Sequence, residues 1–234
     1  MPVYFKHKLV HIHIPKTAGT AIERFFHRIG DMEWGTKSWL GQKRHDERWY
    51  EYQHFSLEEL WHFAGTRFPG FTSFAVVRDP LTRLISDFIW RSWIQEAHPN
   101  SPTQFFDSFD EFLDAIPDDI NSGWSKHIQG TDQKWANFLI HVRPQHHFVL
   151  DDSGNCLVDV ILRYEVLPQD FALFLEPFGL RADNIKTPPI RDPDEYFTRE
   201  QIERIKTIYA GDFALTSLPK NATVPMMYEG GNAS

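Results

Sequence analysis

The sequence predicts an α/β fold with a central, mainly parallel sheet, and three observations carry that expectation. Residues 9–29 read as a strand, a tight loop and an amphipathic helix, and residues 71–88 repeat that order. Strand-to-helix units of this kind lead back to a parallel neighbour through a crossover. The third observation is bulk: 234 residues, 41% hydrophobic with 20 Phe and 8 Trp, supply one sizeable core and exclude a disordered chain. No repeat or low-complexity linker divides the chain. One domain is expected over residues 1–225, with a flexible tail over 226–234.

Taken in order, residues 9–14 alternate apolar residues with His11 and His13 and stop at Pro15, which predicts a strand. Ile22, Phe25, Phe26 and Ile29 then follow helical spacing, and Gly30 lies where that helix should end. Residues 31–55 are rich in Trp, Tyr and charge without clean period and read as an irregular, aromatic-lined segment. Ser56-Leu-Glu-Glu59 is a capping box opening a short helix through Trp61 and Phe63. Phe71 to Val77 is the second core strand. Asp79 caps a helix that begins at Pro80 and buries Leu81, Leu84, Ile85 and Phe88.

Ser108-Phe-Asp-Glu111 starts another capped helix, and residues 121–143 read as helix and loop. Residues 148–162 predict a hairpin turning at Ser153-Gly154-Asn155. Val166 to Phe178 is helical by spacing. Thr198-Arg-Glu-Gln201 caps a last helix that carries Ile202, Ile205, Ile208, Tyr209 and Phe213.

The net charge of −8 excludes a polyanion binder by overall balance, and no nucleic-acid partner is expected. The charge is uneven, however. Lys6, Lys8, Lys16, Arg24 and Arg28 face Glu23 alone over residues 6–28, which suits a small anionic ligand. The acidic run over residues 107–119 reads as a solvated helix face. No stretch reaches the length of a membrane span, and Met-Pro-Val-Tyr-Phe-Lys-His-Lys lacks the apolar run of a signal peptide. With a single cysteine, Cys156, the expected compartment is the reducing cytoplasm.

A helix that starts just after a tight loop offers unpaired amides and a positive dipole end to an anion. Thr17, Ala18, Gly19, Thr20 and Ala21 would supply those amides in the first unit, Gly19 letting the backbone approach closely, and Lys16 adds a mobile charge. The lysine precedes the single glycine, unlike the usual triphosphate loop, and no acidic strand is evident for Mg²⁺. In the second unit Arg78 leaves the end of a strand, where open α/β sheets bind ligands. Ser86 returns to nearly the same helical azimuth two turns after Asp79, so Arg78 and Ser86 could grip one phosphate together. The structural alternative pairs Arg78 with Asp79 or a nearby helix and leaves Ser86 a helix surface residue. His11-x-His13 and His146-His147 lack the supporting pattern of a metal site, and no carboxylate spacing marks a glycosidase.

Pro15-Lys-Thr-Ala-Gly-Thr20 and Arg78-Asp-Pro-Leu-Thr-Arg-Leu-Ile-Ser86, with Arg143-Pro-Gln-His, the run Asp159 to Glu165 and Tyr209-Ala-Gly-Asp-Phe213 behind them, resemble a known family. It is the carbohydrate sulfotransferases of the heparan sulfate 2-O- and chondroitin sulfotransferase group, especially their soluble bacterial relatives. The resemblance implies a three-layer fold like that of P-loop NTPases, its mainly parallel sheet flanked by helices. It implies 3′-phosphoadenosine 5′-phosphosulfate (PAPS) as donor, its 5′-phosphosulfate on residues 15–20 and its 3′-phosphate on Arg78 and Ser86. A saccharide or glycoconjugate hydroxyl would be the acceptor, with no metal required. The family's histidine base falls here on His54, within Gln53-His-Phe-Ser56, with Lys16 steadying the departing phosphate. A neutral imidazole of ordinary pKa would serve as that base. His13 would orient the loop, and Trp34, Trp39, Trp49, Tyr50 and Tyr52 would form an acceptor wall or pack as core. A P-loop kinase or NTPase and a non-catalytic nucleotide-binding module are the competing readings.

Overall fold

The computed structural model describes residues 3–31, 42–45, 48–65, 68–182 and 185–217; Trp34, Trp39 and the expected 226–234 tail lie outside them. Strand β1 (Val3–Tyr4) pairs antiparallel with β2 (Leu9–Ile12). Helix α1 (Gly19–Arg28) follows and buries Ile22, Phe25 and Phe26 as their spacing predicts. Just past its end Gly30 takes a φ of +70°, and the amides of Gly30 and Asp31 bond back to His27 and Phe26. In the next segment, residues 42–45 and 48–54 are more regular than their sequence suggests. Strands β3 (Gln42–His45) and β4 (Arg48–Glu51) form an antiparallel hairpin that leads into a 3-10 turn over Tyr52–His54. Their polar residues carry no alternating apolar pattern to announce them.

Helix α2 (Leu57–Ala64) starts on the Ser56–Glu59 capping box, and β5 (Thr72–Val77) runs into α3 (Pro80–Ala97), whose first turn Asp79 caps through the Thr82 amide. Four helices then cross back towards the sheet: α4 (Phe109–Asp114), α5 (Ile120–His127), α6 (Gln133–Val142) and α7 (His146–Val149). The acidic residues of 107–119 are solvent-exposed, as expected.

The hairpin expected over residues 148–162 is corrected. Its turn forms, with an isolated bridge between Leu150 and Cys156, but the first arm is helical at His146–Val149. The second arm becomes β6 (Val160–Arg163) and pairs in parallel with β5. Asp159 anchors it there by accepting from both the amide and the hydroxyl of Ser73, each at 2.7 Å. Helix α8 (Leu167–Leu175) follows. The expected last helix is in fact two, α9 (Arg199–Ile208) and α10 (Ala210–Thr216), because Tyr209 leaves helical geometry while its hydroxyl donates to the Val142 carbonyl at 2.7 Å.

The main sheet runs β1-β2-β5-β6, with β1 its one antiparallel strand. Strand alternation turns Leu9, Phe74, Val76, Val160 and Leu162 onto α1 and α8, where Phe25, Phe26, Phe171 and Phe174 complete one core. Val10, Ile12, Ala75, Val77 and Ile161 face the other way, against Phe55, Leu57, Leu60 and Phe148. A separate helical core gathers α3 to α6 and α9 around Ile85, Phe112, Phe138 and Ile205. The protein is therefore an α/β fold whose central, mostly parallel sheet has helices on both faces. The carboxyl ends of β2 and β5 lie side by side, and both predicted loops leave from there. Among the described residues no helix is long and apolar enough to cross a membrane.

Candidate functional site

The loop after β2 bends through two left-handed residues, Lys16 at φ +68° and Ala18 at φ +72°. Each costs about 1–2 kcal/mol in an L-residue, so the surroundings must hold the shape. Thr17 supplies one hold: it is fully buried, and its hydroxyl donates to the Ile14 carbonyl at 2.9 Å. Its side chain thus faces away from any ligand. The expectation of an open Ala21 amide is corrected: it donates to the Ala18 carbonyl, as does that of Ile22, which leaves the Gly19 and Thr20 amides ahead of the first intrahelical bond. No acidic residue occupies that first turn, so the end stays receptive to an anion. Gly19 is needed for a neighbour's ring: a Cβ there would lie 1.9 Å from His13 Nε2.

His13 is locked by Glu23, whose carboxylate accepts from its Nδ1 at 2.7 Å and from Gln53 Nε2 at 3.2 Å. Burial pushes the Glu23 carboxyl up, but His13, His11 and Gln53 outweigh it and hold the pKa down at about 2. His13 therefore does orient the loop, and Gln53 joins the same frame. The His13 carbonyl accepts from His54 Nδ1 at 2.8 Å. A carbonyl can only accept, so this bond puts the proton of the neutral ring on Nδ1 and leaves a lone pair on Nε2. Burial pushes the His54 imidazole well below the ordinary histidine range, so the expectation of an unperturbed base is corrected. His11 is packed against Phe74 at 4.8 Å and buried, which makes it a core residue.

Arg78 begins where β5 ends. The Gln145 side chain brackets its backbone, accepting from the amide at 2.9 Å and donating to the carbonyl at 2.7 Å. Its own side chain donates from Nε to Thr82 Oγ1 at 3.1 Å and from Nη1 to the Lys16 carbonyl at 3.1 Å, while the guanidinium lies 4.0 Å from the Tyr164 ring centre. Nη2 has no partner among the described residues. Arg78 does not pair with Asp79, whose carboxylate caps α3 and whose amide donates to Glu165, but its bond to Thr82 does tie it to α3, the nearby helix of the structural alternative. Arg83, the second arginine of that motif, is structural: it donates to the His141 and Arg143 carbonyls at 2.9 and 3.0 Å.

These pieces open onto one cavity of about 600 Å³ lined by Lys16, Ala18, Gly19, Thr20, Ala21, His54, Arg78 and Ser86. Every predicted site residue except Thr17 is on its wall. A second lobe of about 260 Å³ shares Lys16, Arg78 and Ser86 and runs out past Trp90 to Trp93 and Arg191. Of the five aromatic residues, the three described follow the packing alternative: Tyr50 and Tyr52 pack on Phe55, and Trp49 packs against the helical core. The aromatic rings that do line the cavity are Trp90 and Tyr164. Lys16 Nζ sits 4.8 Å over the Trp90 ring, which in turn stacks on His141. Burial brings the Lys16 ammonium down to a pKa of about 8, with Arg91 and Arg78 adding to the fall and Asp87 opposing it.

Sequence reasoning missed the floor of the cavity. His141 donates from Nδ1 to Asp87 at 2.5 Å, Asp87 accepts from Arg91 at 2.8 Å, and Asn137 donates to Glu51 at 2.7 Å. These residues come from β4, α3 and α6 and share no local motif, so only the tertiary fold could bring them together.

The whole arrangement offers fixed cations and open amides to a phosphate-like anion, with an unprotonated imidazole nitrogen opening on the same space. No curated protein and no solved structure matches the chain significantly. A sulfotransferase family model does match, over residues 3–215, which takes in both loops, the cavity floor and all the main-sheet strands. With that match and a P-loop-like site, the chain belongs to the sulfotransferase family and is a transferase of sulfuryl groups.

Proposed function

We propose that the protein transfers a sulfuryl group from PAPS to a hydroxyl of a saccharide or glycoconjugate, with His54 as the base. The observation that carries this reading is the shared cavity. The first-loop amides, Lys16, the free edge of Arg78 and the bare Nε2 of His54 all open on it. The Gly19 and Thr20 amides would hold the 5′-phosphosulfate end, and Arg78 with Ser86 the 3′-phosphate.

The donor supplies an activated sulfuryl group. The acceptor oxygen forms a bond to sulfur as the bond from sulfur to the bridging phosphate oxygen breaks, and 3′-phosphoadenosine 5′-phosphate leaves. His54 Nε2 takes the acceptor proton in the same step. Its proton-bearing Nδ1 is held on the His13 carbonyl, so the accepting nitrogen keeps its direction. Lys16 faces the charge that grows on the leaving phosphate, and no metal is needed by this scheme.

His54→Ala tests the assignment. Transfer should fall by about 10²–10⁴-fold while calorimetry still shows binding of 3′-phosphoadenosine 5′-phosphate. Unchanged turnover would remove His54 from the mechanism. Binding of ATP in preference to the 3′-phosphorylated nucleotide would remove the donor.

A further inference from the structure

On the floor of the cavity Glu51, His54 and His141 each offer one ligand atom, and these atoms all lie within 4.8 Å of one another. Glu51 Oε2 is 3.9 Å from His54 Nε2 and 4.0 Å from His141 Nε2. We propose that these three side chains form a binding site for a borderline divalent cation of the Zn²⁺ type, and that its occupation silences His54 as a base.

The second layer is what makes this a built site. A metal-binding imidazole needs its other nitrogen held by a carbonyl or carboxylate, which fixes both tautomer and direction. Both patterns are present: His54 Nδ1 donates to the His13 carbonyl at 2.8 Å, and His141 Nδ1 donates to the Asp87 carboxylate at 2.5 Å. The carboxylate is held as well, since Asn137 donates to Glu51 Oε1 at 2.7 Å, while Oε2 is the oxygen near both imidazoles. Arg91 braces two of these holders at once, bonding Asp87 at 2.8 Å and Asn137 at 3.1 Å.

Two imidazoles and one carboxylate suit Zn²⁺, Co²⁺ or Ni²⁺, whereas an all-oxygen shell would suit Mg²⁺ or Ca²⁺. Bonds of about 2.0–2.1 Å in a tetrahedral site place neighbouring ligand atoms about 3.4 Å apart, so the two Glu51 pairs at 3.9 and 4.0 Å must close by roughly half an ångström, and the histidine pair, within 4.8 Å, by up to about 1.4 Å. The fourth position opens on the cavity, which all three residues line. An ion there would engage the lone pair on His54 Nε2 that the transfer reaction uses. Only this inhibitory effect rests on the proposed function; binding of the ion does not.

The test titrates metal-free protein with Zn²⁺ against a chromophoric chelator, without donor or acceptor. One equivalent should bind in the micromolar range or tighter, and Co²⁺ in its place should give the visible absorption of a low-coordinate nitrogen–oxygen site. His54→Ala and Glu51→Gln should each weaken binding at least tenfold, and Asn137→Ala by about 10–100-fold as a holder. Melting curves of the metal-free variants check that each is folded, and two independent ligand variants guard against the loss of one. No stoichiometric binding, or binding untouched by both His54→Ala and Glu51→Gln, overturns the site. Zn²⁺ should also abolish transfer and a chelator restore it. Full transfer by the zinc-loaded protein would refute the silencing and, with it, His54 as base.

Discussion

Lys16 gives the sharpest quantitative handle on the proposed donor site. Its ammonium lies in the cavity wall over Trp90, and burial lowers its pKa from 10.5 to about 8, against the pull of Asp87. A lysine of pKa about 8 is roughly nine-tenths protonated at pH 7 and roughly one-tenth at pH 9. An anionic nucleotide binds the protonated form and keeps it protonated, so the sign is fixed: affinity is full below pH 8 and is lost as pH rises through it. Between pH 7 and pH 9 affinity for 3′-phosphoadenosine 5′-phosphate should fall about tenfold, and the slope above pH 9 should approach tenfold per unit. The phosphate monoester, whose second pKa is about 6, is already roughly nine-tenths doubly charged at pH 7, so its own change across this window is small. An arginine starts too high to titrate there, so the slope belongs to the lysine.

Isothermal calorimetry in buffers of different ionisation enthalpy measures both quantities at once. At pH 9 binding should take up close to one proton, and at pH 7 almost none. Lys16→Met, which keeps the stem and removes the charge, should bind more weakly at pH 7 and show neither the slope nor the proton uptake. The same slope in Lys16→Met, or no uptake by the wild-type protein at pH 9, would refute the assignment of this site to Lys16.

Three further substitutions probe separate parts of the frame. Gly19→Ala drives a methyl to 1.9 Å from the His13 ring and should destabilise by about 1–3 kcal/mol in chemical denaturation while weakening nucleotide binding; a change below about 0.5 kcal/mol would show that the ring is free to move aside. Arg78→Lys keeps a charge but loses the bond to Thr82 and the flat face on Tyr164. It should cost about 10–100-fold in affinity for a 3′-phosphorylated nucleotide and little for its 3′-hydroxyl analogue, a difference read by calorimetry. Thr198→Ala removes the capping box of α9, none of whose residues lines the cavity, so it should cost about 1 kcal/mol in thermal unfolding and leave transfer unchanged.

The parts of this fold legible in the sequence are those set by short-range physics. Ser56, Asp79, Ser108 and Thr198 announced four helix starts because a cap needs only the next three residues. Tertiary pairing was not legible. The turn at Ser153-Gly154-Asn155 is real, but β6 pairs with a strand whose anchoring residue, Ser73, lies 86 positions from Asp159. Likewise nothing local reveals that α9 must stop at Tyr209. The break lets Asp212 accept from the Gln145 and His146 amides at 2.8 and 3.0 Å, while Gly211 makes room for the His146 ring.

The candidate site divides along a related line. The two loops and His54 were found because each sits in a contiguous pattern, yet several residues in those patterns hold the frame: Thr17 ties the first loop, Asp79 caps α3, and Arg83 closes the end of α6. Arg78 does both, since it faces the cavity and also donates to the carbonyl of Lys16. The two clamps are therefore mechanically one. On the proposed function, removing Arg78 would take away a phosphate ligand and also free a loop held in two left-handed residues, so its full cost would overstate its contact with the ligand. A double-mutant cycle between Lys16→Met and Arg78→Lys should be non-additive, by the 0.5–3 kcal/mol typical of residues in one network, even if the two bind opposite ends of the nucleotide. Strict additivity would mean that the bond between the loops carries no energy and that each clamp stands alone.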